Sequence, residues 1–188
     1  MQRNAHYPRE SRQHGLTLLE VLATLALTAL ILGIGVPAFN GLGASSRQTA
    51  EINNFVRHLQ LARSNAVKTG RDHVLCPSSD MKLCREDTDW EQGYILFEDS
   101  NSNGLRDNRE PLVQASRPAS EIGIDMQSTA GRKHVTYRAD GRSAGSNLTL
   151  TFCDPSKHIP PKAVILSNTG RPRIATTRWN GAPLACVP

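Results

Sequence analysis

One acidic residue, Glu20, stands inside an otherwise apolar run from Leu16 to Val36, and Gly15 immediately precedes that run. The run holds about 20 residues, so as a helix it would reach roughly 30 Å, the thickness of a bilayer's hydrocarbon core. A carboxylate is costly at that depth, so Glu20 is expected to have a function. Arg3, Arg9 and Arg12 lie before Gly15. Positive charge on this side predicts a cytoplasmic N-terminus and a domain delivered outside. An ordinary secretory signal is cut after its apolar core, at small residues. Here the plausible cut falls before the core, so the helix stays on the mature chain. A plain single-pass anchor is the simpler alternative, but it has no use for Glu20.

The apolar segment carries Gly33, Gly35 and Pro37, with Gly41 and Gly43 beyond. Proline removes a helix hydrogen bond and glycine loosens the backbone, which predicts a bend or meltable stretch. The helix is expected to resume near Ser45 or Ser46. Ile52, Phe55, Val56, Leu59, Ala62 and Ala66 then recur at helical spacing, with charged and amide residues between them. This predicts an amphipathic helix laid on a domain and stopped by Gly70. His58 borders the stripe and reads as a surface or boundary residue.

Past Gly70 the period falls to two. Strands are predicted at His73–Cys76, Tyr94–Glu98, Leu112–Ala115, Ile122–Met126, Val135–Tyr137, Leu148–Phe152, Ala163–Ser167 and around Ile174, separated by Gly, Asn, Asp and Pro clusters. No βαβ alternation is visible, so a parallel doubly wound domain is not expected. The fold class is α+β: a long N-terminal helix, transmembrane and then amphipathic, packed on a small antiparallel β-sheet domain. The expected segments are a leader at 1–15, a membrane or fibre-core helix at 16–43, an amphipathic helix at 44–70 and a β-rich globular domain at 71–188.

Four cysteines in a translocated domain favour disulfides over metal. The simplest pairing is Cys76 with Cys84 and Cys153 with Cys186, although four cysteines allow three connectivities. No C-x-x-C pair or ligand-spaced histidine supports zinc. The formal net charge is +5. Its distribution matters more than its total: no acidic residue follows Asp154, while Lys157, Lys162, Arg171, Arg173 and Arg178 do. Such a one-sign stretch makes a local positive field.

Two segments are candidate sites. Asp99, Asn101, Asn103, Asp107 and Glu110, with the Leu105 carbonyl and a turn at Gly104, satisfy a calcium-loop pattern of hard oxygens. The competing reading is a hairpin connection, where Asn, Asp and Gly serve the backbone, and Arg106 and Arg109 dilute the charge. A structural Ca2+ is therefore the one cofactor considered. In Gly170-Arg171-Pro172-Arg173, glycine permits a tight turn, proline stiffens it, and two guanidinium forks suit phosphate oxygens. Arg178 and Lys162 extend the basic set. Trp179 either stacks on a base or belongs to the core. The plain reading is a solvated turn with surface arginines. Enzyme readings find neither a nucleophile elbow nor a phosphate loop. His73, His134 and His158 read as packed or surface residues. No catalytic residue is expected.

Gly15-Leu16-Thr17-Leu18-Leu19-Glu20 after a basic leader resembles the class III signal of type IV prepilins and pseudopilins. The order of later features resembles the FimT/GspH family of minor pilins and pseudopilins, closest to the FimT branch. Those features are the Cys76–Cys84 loop, Trp90-Glu91-Gln92-Gly93-Tyr94, Leu96-Phe97-Glu98-Asp99, Asn103-Gly104 to Glu110, Gly141-Arg142, Phe152-Cys153 and Gly170-Arg171-Pro172-Arg173. The resemblance implies cleavage after Gly15 by a prepilin peptidase, N-methylation of Leu16, and pairing of Glu20 with an N-terminal amine during assembly. It implies an inner-membrane protein that joins other pilin subunits in a fibre, its globular domain in the periplasm or outside. In the FimT branch the Gly-Arg-x-Arg motif is associated with DNA binding in natural transformation, which implies such a role for Gly170, Arg171 and Arg173. Two alternatives stay open: a structural pseudopilin of a type II secretion system, and an assembly-priming minor pilin with no ligand.

Overall fold

The computed structural model describes residues 15–186, and within the helix it leaves the side chains of 35–40 undescribed. The leader expected over 1–15 therefore lies, except for Gly15, outside the described residues. The chain divides into two compact units, Met1–Phe39 and Asn40–Pro188.

Helix α1 runs over Leu18–Thr69, 52 residues. Thr17 starts it: its hydroxyl accepts from the Glu20 N–H at 3.3 Å, the first arm of a Thr-x-x-Glu capping box. The Thr24 and Thr28 hydroxyls donate to the carbonyls of Val21 and Thr24 at 2.9 and 2.6 Å, so these polar groups are satisfied within the helix. In the first unit, Leu18, Leu19, Leu22, Leu25, Leu30 and Ile31 are all exposed. The helical part with described side chains, 18–34, is about 26 Å long, short of a hydrocarbon core of roughly 30 Å. Accordingly, among the described residues no helix is long and apolar enough to cross a membrane. The helix does not restart near Ser45, since helical backbone continues through Pro37 and Ser45.

In the second unit, the α1 stripe of Ile52, Phe55, Leu59, Ala62 and Ala66 is buried, with Val56 partly so. Phe55 is its centre, meeting Trp90, Tyr94 and Phe152 edge-on at centroid distances of 5.7, 5.4 and 6.1 Å. Two antiparallel four-stranded sheets complete the domain. The first has the order β3-β2-β1-β5, built from β1 (Asp72–Pro77), β2 (Tyr94–Asp99), β3 (Leu112–Ser116) and β5 (Val135–Tyr137). The second has the order β4-β6-β7-β8, built from β4 (Asp125–Ser128), β6 (Leu148–Cys153), β7 (Lys162–Leu166) and β8 (Pro172–Ala175). Both sheets contribute to one core with α1. Val74, Cys76, Ile95 and Phe97 form a smaller cluster on the other face of the first sheet. Burial on both faces explains why β1 and β2 read as apolar runs instead of alternating.

One predicted strand is corrected. Ala119–Ile122 is a single 3-10 turn, and the strand begins only at Asp125. Pro118 sets the entry to that turn, and Gly123 ends it in a left-handed conformation whose N–H bonds the Ser120 carbonyl at 3.0 Å. The cysteines pair Cys76–Cys84 and Cys153–Cys186, with Cα separations of 5.5 and 5.9 Å. The first closes a small loop beside β1. The second ties the C-terminal segment to the end of β6.

Candidate functional site

Strands β7 and β8 are joined by a tight turn, Ser167 to Gly170, closed by the Gly170 N–H on the Ser167 carbonyl at 2.9 Å. Gly170 is buried with φ +74°, and a Cβ there would lie 2.4 Å from the Gly141 carbonyl oxygen. Only glycine fits this position. The Gly170 carbonyl accepts from the Tyr137 hydroxyl at 3.1 Å and from the Arg63 guanidinium at 3.4 Å. Tyr137 is buried, which pushes its phenol well above the ordinary range and keeps it a donor. The turn is therefore anchored from β5 and from α1, two elements distant in sequence. Arg171 and Arg173 follow it and are exposed. Among the described residues neither takes part in an ion pair.

Strand register assigns faces. Leu150, Val164 and Ile174 are partners across β6, β7 and β8, and Leu150 and Val164 lie in the core. The neighbouring set of Thr149, Ile165 and Arg173 faces outward, because successive side chains alternate. Lys162 pairs with Phe152, a core residue, so it sits on the inner, helix-facing side at the strand's start. There the Gln48 side chain donates to the Phe152 and Pro160 carbonyls, both at 3.1 Å. Arg178 lies past the opposite end of β8, in a small hairpin bridged from Thr177 to Pro183. It and Trp179 line an outer-face groove of about 730 Å³ with Gln127, Thr149, Thr151, Asp89 and Glu91. Trp179 is 80% exposed, which decides against a core role. Asp89 and Glu91 beside Arg178 give this groove both signs of charge, and burial, then the charges of Asp89 and Asp125, raises the Glu91 carboxyl pKa. The basic set thus separates: Gly170 closes the turn, Arg171 follows it, Arg173 lies on the outer face of β8, Arg178 past the far end of β8, and Lys162 on the opposite face.

The calcium expectation is not supported. Asp99 accepts backbone N–H bonds from Asn103 and Gly104 at 3.2 and 2.8 Å. Asn101 and Asn103 accept from the N–H groups of Asn103 and Leu105. The buried Glu110 accepts from the Ser100 and Asp107 N–H groups at 2.8 and 2.9 Å, and Asp107 accepts from the Asn101 amide at 2.7 Å. These oxygens point back at their own loop. Among the described residues no group of three or more His, Cys, Asp or Glu is placed to hold a metal.

The matches to known families bear on this geometry. Residues 51–170 match the family described as Type II transport protein GspH, and residues 11–36 match the Prokaryotic N-terminal methylation motif. The first match alone covers more than half of the 188 residues. The chain belongs to the GspH family. It pairs that family's domain with an N-terminal methylation motif, on a long N-terminal helix followed by a small antiparallel β domain. Solved structures similar to this GspH-family chain include the type IV minor pilin FimU of Pseudomonas aeruginosa. That match has 18% identity and a TM-score of 0.47, covering 71% of this chain and 90% of FimU. Another is the minor pseudopilin EpsH from the type 2 secretion system of Vibrio cholerae. There the identity is 12% and the TM-score 0.48, covering 69% of this chain and 96% of EpsH. No similar sequence was found among curated proteins.

Sequence reasoning did not find a buried polar cluster in this GspH-family domain. The Asn54 amide donates to the Tyr94 hydroxyl at 3.3 Å and the Ser116 hydroxyl at 3.1 Å. His58 is buried, not at the surface, and its Nδ1 lies 2.8 Å from the Asn54 carbonyl. A carbonyl only accepts, so Nδ1 carries the proton. The buried Nε2 has no hydrogen-bond partner. Burial lowers the His58 pKa and raises that of Glu51. The signal available in the sequence was weak: Glu51, Asn54 and His58 recur at three- and four-residue intervals on one helix face.

Proposed function

We propose that this minor pilin binds DNA through the β7–β8 turn and supports DNA uptake in natural transformation. The observation carrying this reading is the anchored Gly170 turn with Arg171 and Arg173 exposed and unpaired. The backbone that carries these arginines is anchored, and their planar guanidinium forks fit phosphate oxygens. Contacts of this kind follow the backbone and not the base sequence, so binding is sequence-tolerant and weakens with salt. A single turn gives weak binding. Several subunits, or several contacts along one DNA, would add avidity. Trp179 offers an exposed indole for a splayed base.

The N-terminal motif supports the rest of the proposal. The chain is cut after Gly15 by a prepilin peptidase, methylated on Leu16, and held by its apolar helix in the inner membrane before assembly. Glu20 then pairs with a subunit's N-terminal amine, while Leu18 to Ile34 give the fibre its apolar contacts. The membrane span needs residues beyond the described side chains.

The matching family model is described as a type II transport protein, which favours a second reading. On it the chain builds a secretion pseudopilus and binds protein partners. Cells carrying Arg171→Ala and Arg173→Ala separate the two. The DNA reading expects DNA uptake to fall while pili persist. Unchanged uptake, with protein secretion impaired, would favour the second.

A further inference from the structure

We propose that the neighbouring turn, Arg138 to Arg142, is a second half of the same DNA-contacting surface. Arg138 and Arg142 would grip the backbone of the duplex held by Arg171 and Arg173. The inference rests on the DNA reading above and extends it to residues from another sheet.

The two turns pack directly against each other. The Ser143 N–H donates to the Asn168 carbonyl at 3.1 Å, and the Gly141 carbonyl occupies the space a Gly170 Cβ would need. The Arg138–Arg142 turn is closed by the Gly141 N–H on the Arg138 carbonyl at 2.7 Å and the Arg138 N–H on the Arg142 carbonyl at 3.0 Å. Gly141 has φ +72°, and a Cβ there would meet Val67 and Arg63 of α1. Arg63 thus touches both turns and fixes their spacing. Arg138 and Arg142 are exposed, and among the described residues neither guanidinium has an ion-pair or hydrogen-bond partner. Asp140 is the acid within this turn, and its carboxylate accepts from the Arg142 N–H at 2.9 Å. Duplex DNA presents a negative charge about every 1.7 Å of its axis, so arginines on adjoining turns meet phosphates of one duplex.

The test titrates the full chain in detergent into a duplex of arbitrary sequence across a salt series. It compares wild type, R138Q/R142Q, R138K/R142K, R171A/R173A and R117Q. Arg117 follows β3, at the opposite edge of the first sheet from β5, and serves as a distant charge control. The expected result for R138Q/R142Q is binding about tenfold weaker at low salt, with the slope of log K against log salt smaller by about two. R138K/R142K keeps the slope, and R117Q leaves it unchanged. An unaltered slope in R138Q/R142Q, while R171A/R173A loses binding, would overturn this inference and leave the DNA reading standing. An equal loss in R117Q would also overturn it, as general charge would then explain the effect. Absence of wild-type binding would remove the underlying reading and this inference with it.

Discussion

Gly170 holds a conformation that L side chains rarely adopt, at a point where a neighbouring carbonyl fills the space a Cβ would need. Gly170→Ala is therefore expected to destabilise the domain by about 2–4 kcal/mol, combining backbone strain with a close contact. Thermal or denaturant unfolding of the full chain checks this, and an unchanged midpoint would contradict the account of the turn. His58 supports a second prediction. Its folded pKa lies below the ordinary value, with burial the largest cause and the Asn54 carbonyl opposing it. As pH falls through about 6.5 the unfolded chain takes up a proton that the folded His58 refuses, so stability is full above that value and falls below it. His134 is shifted the same way, chiefly by burial. Glu51, raised by burial, has the opposite sign: its cost appears as pH rises above the ordinary carboxyl range. Replacing His58 with Gln should reduce, without abolishing, the loss of stability between about pH 7 and pH 5. A steeper loss in the variant would refute the assignment. The glycine turn was legible in the sequence, although it closes over Ser167–Gly170 and leaves Pro172 and Arg173 in β8 instead of the expected loop. Its anchors were not, since Tyr137 and Arg63 lie 33 and 107 residues away.

At the scale of elements, short β-prone runs between turn clusters located the strands, and helical spacing located the buried face of α1. The misplaced strand start at Ile122 has a local cause, because Pro118 and Gly123 frame a 3-10 turn inside an apolar stretch. The oxygen-rich loop after β2 was ambiguous for a more general reason. Residue types cannot reveal whether carboxylates point outward to a cation or back to their own N–H groups, and here they point back. The Cys153–Cys186 bridge spans 33 residues and tethers the hairpin that carries Arg178 and Trp179. Replacing both cysteines with serine is expected to cost about 2–4 kcal/mol, read from denaturant unfolding under oxidising conditions. Loss of the bridge with no change in stability would mean that the C-terminal segment packs without it.

At the scale of the molecule, the two units present surfaces of different chemistry. The first exposes leucines and isoleucines along α1. The second buries an apolar core and leaves Arg138, Arg142, Arg171 and Arg173 exposed at two adjoining turns and the start of β8. The most direct measurement of the central claim is a titration of the full chain in detergent with duplex DNA at low and moderate salt, beside Arg171→Ala/Arg173→Ala. The account predicts wild-type binding that fades as salt rises and is lost in the double variant. Wild-type binding that the double variant retains, or no binding even at low salt, would contradict it.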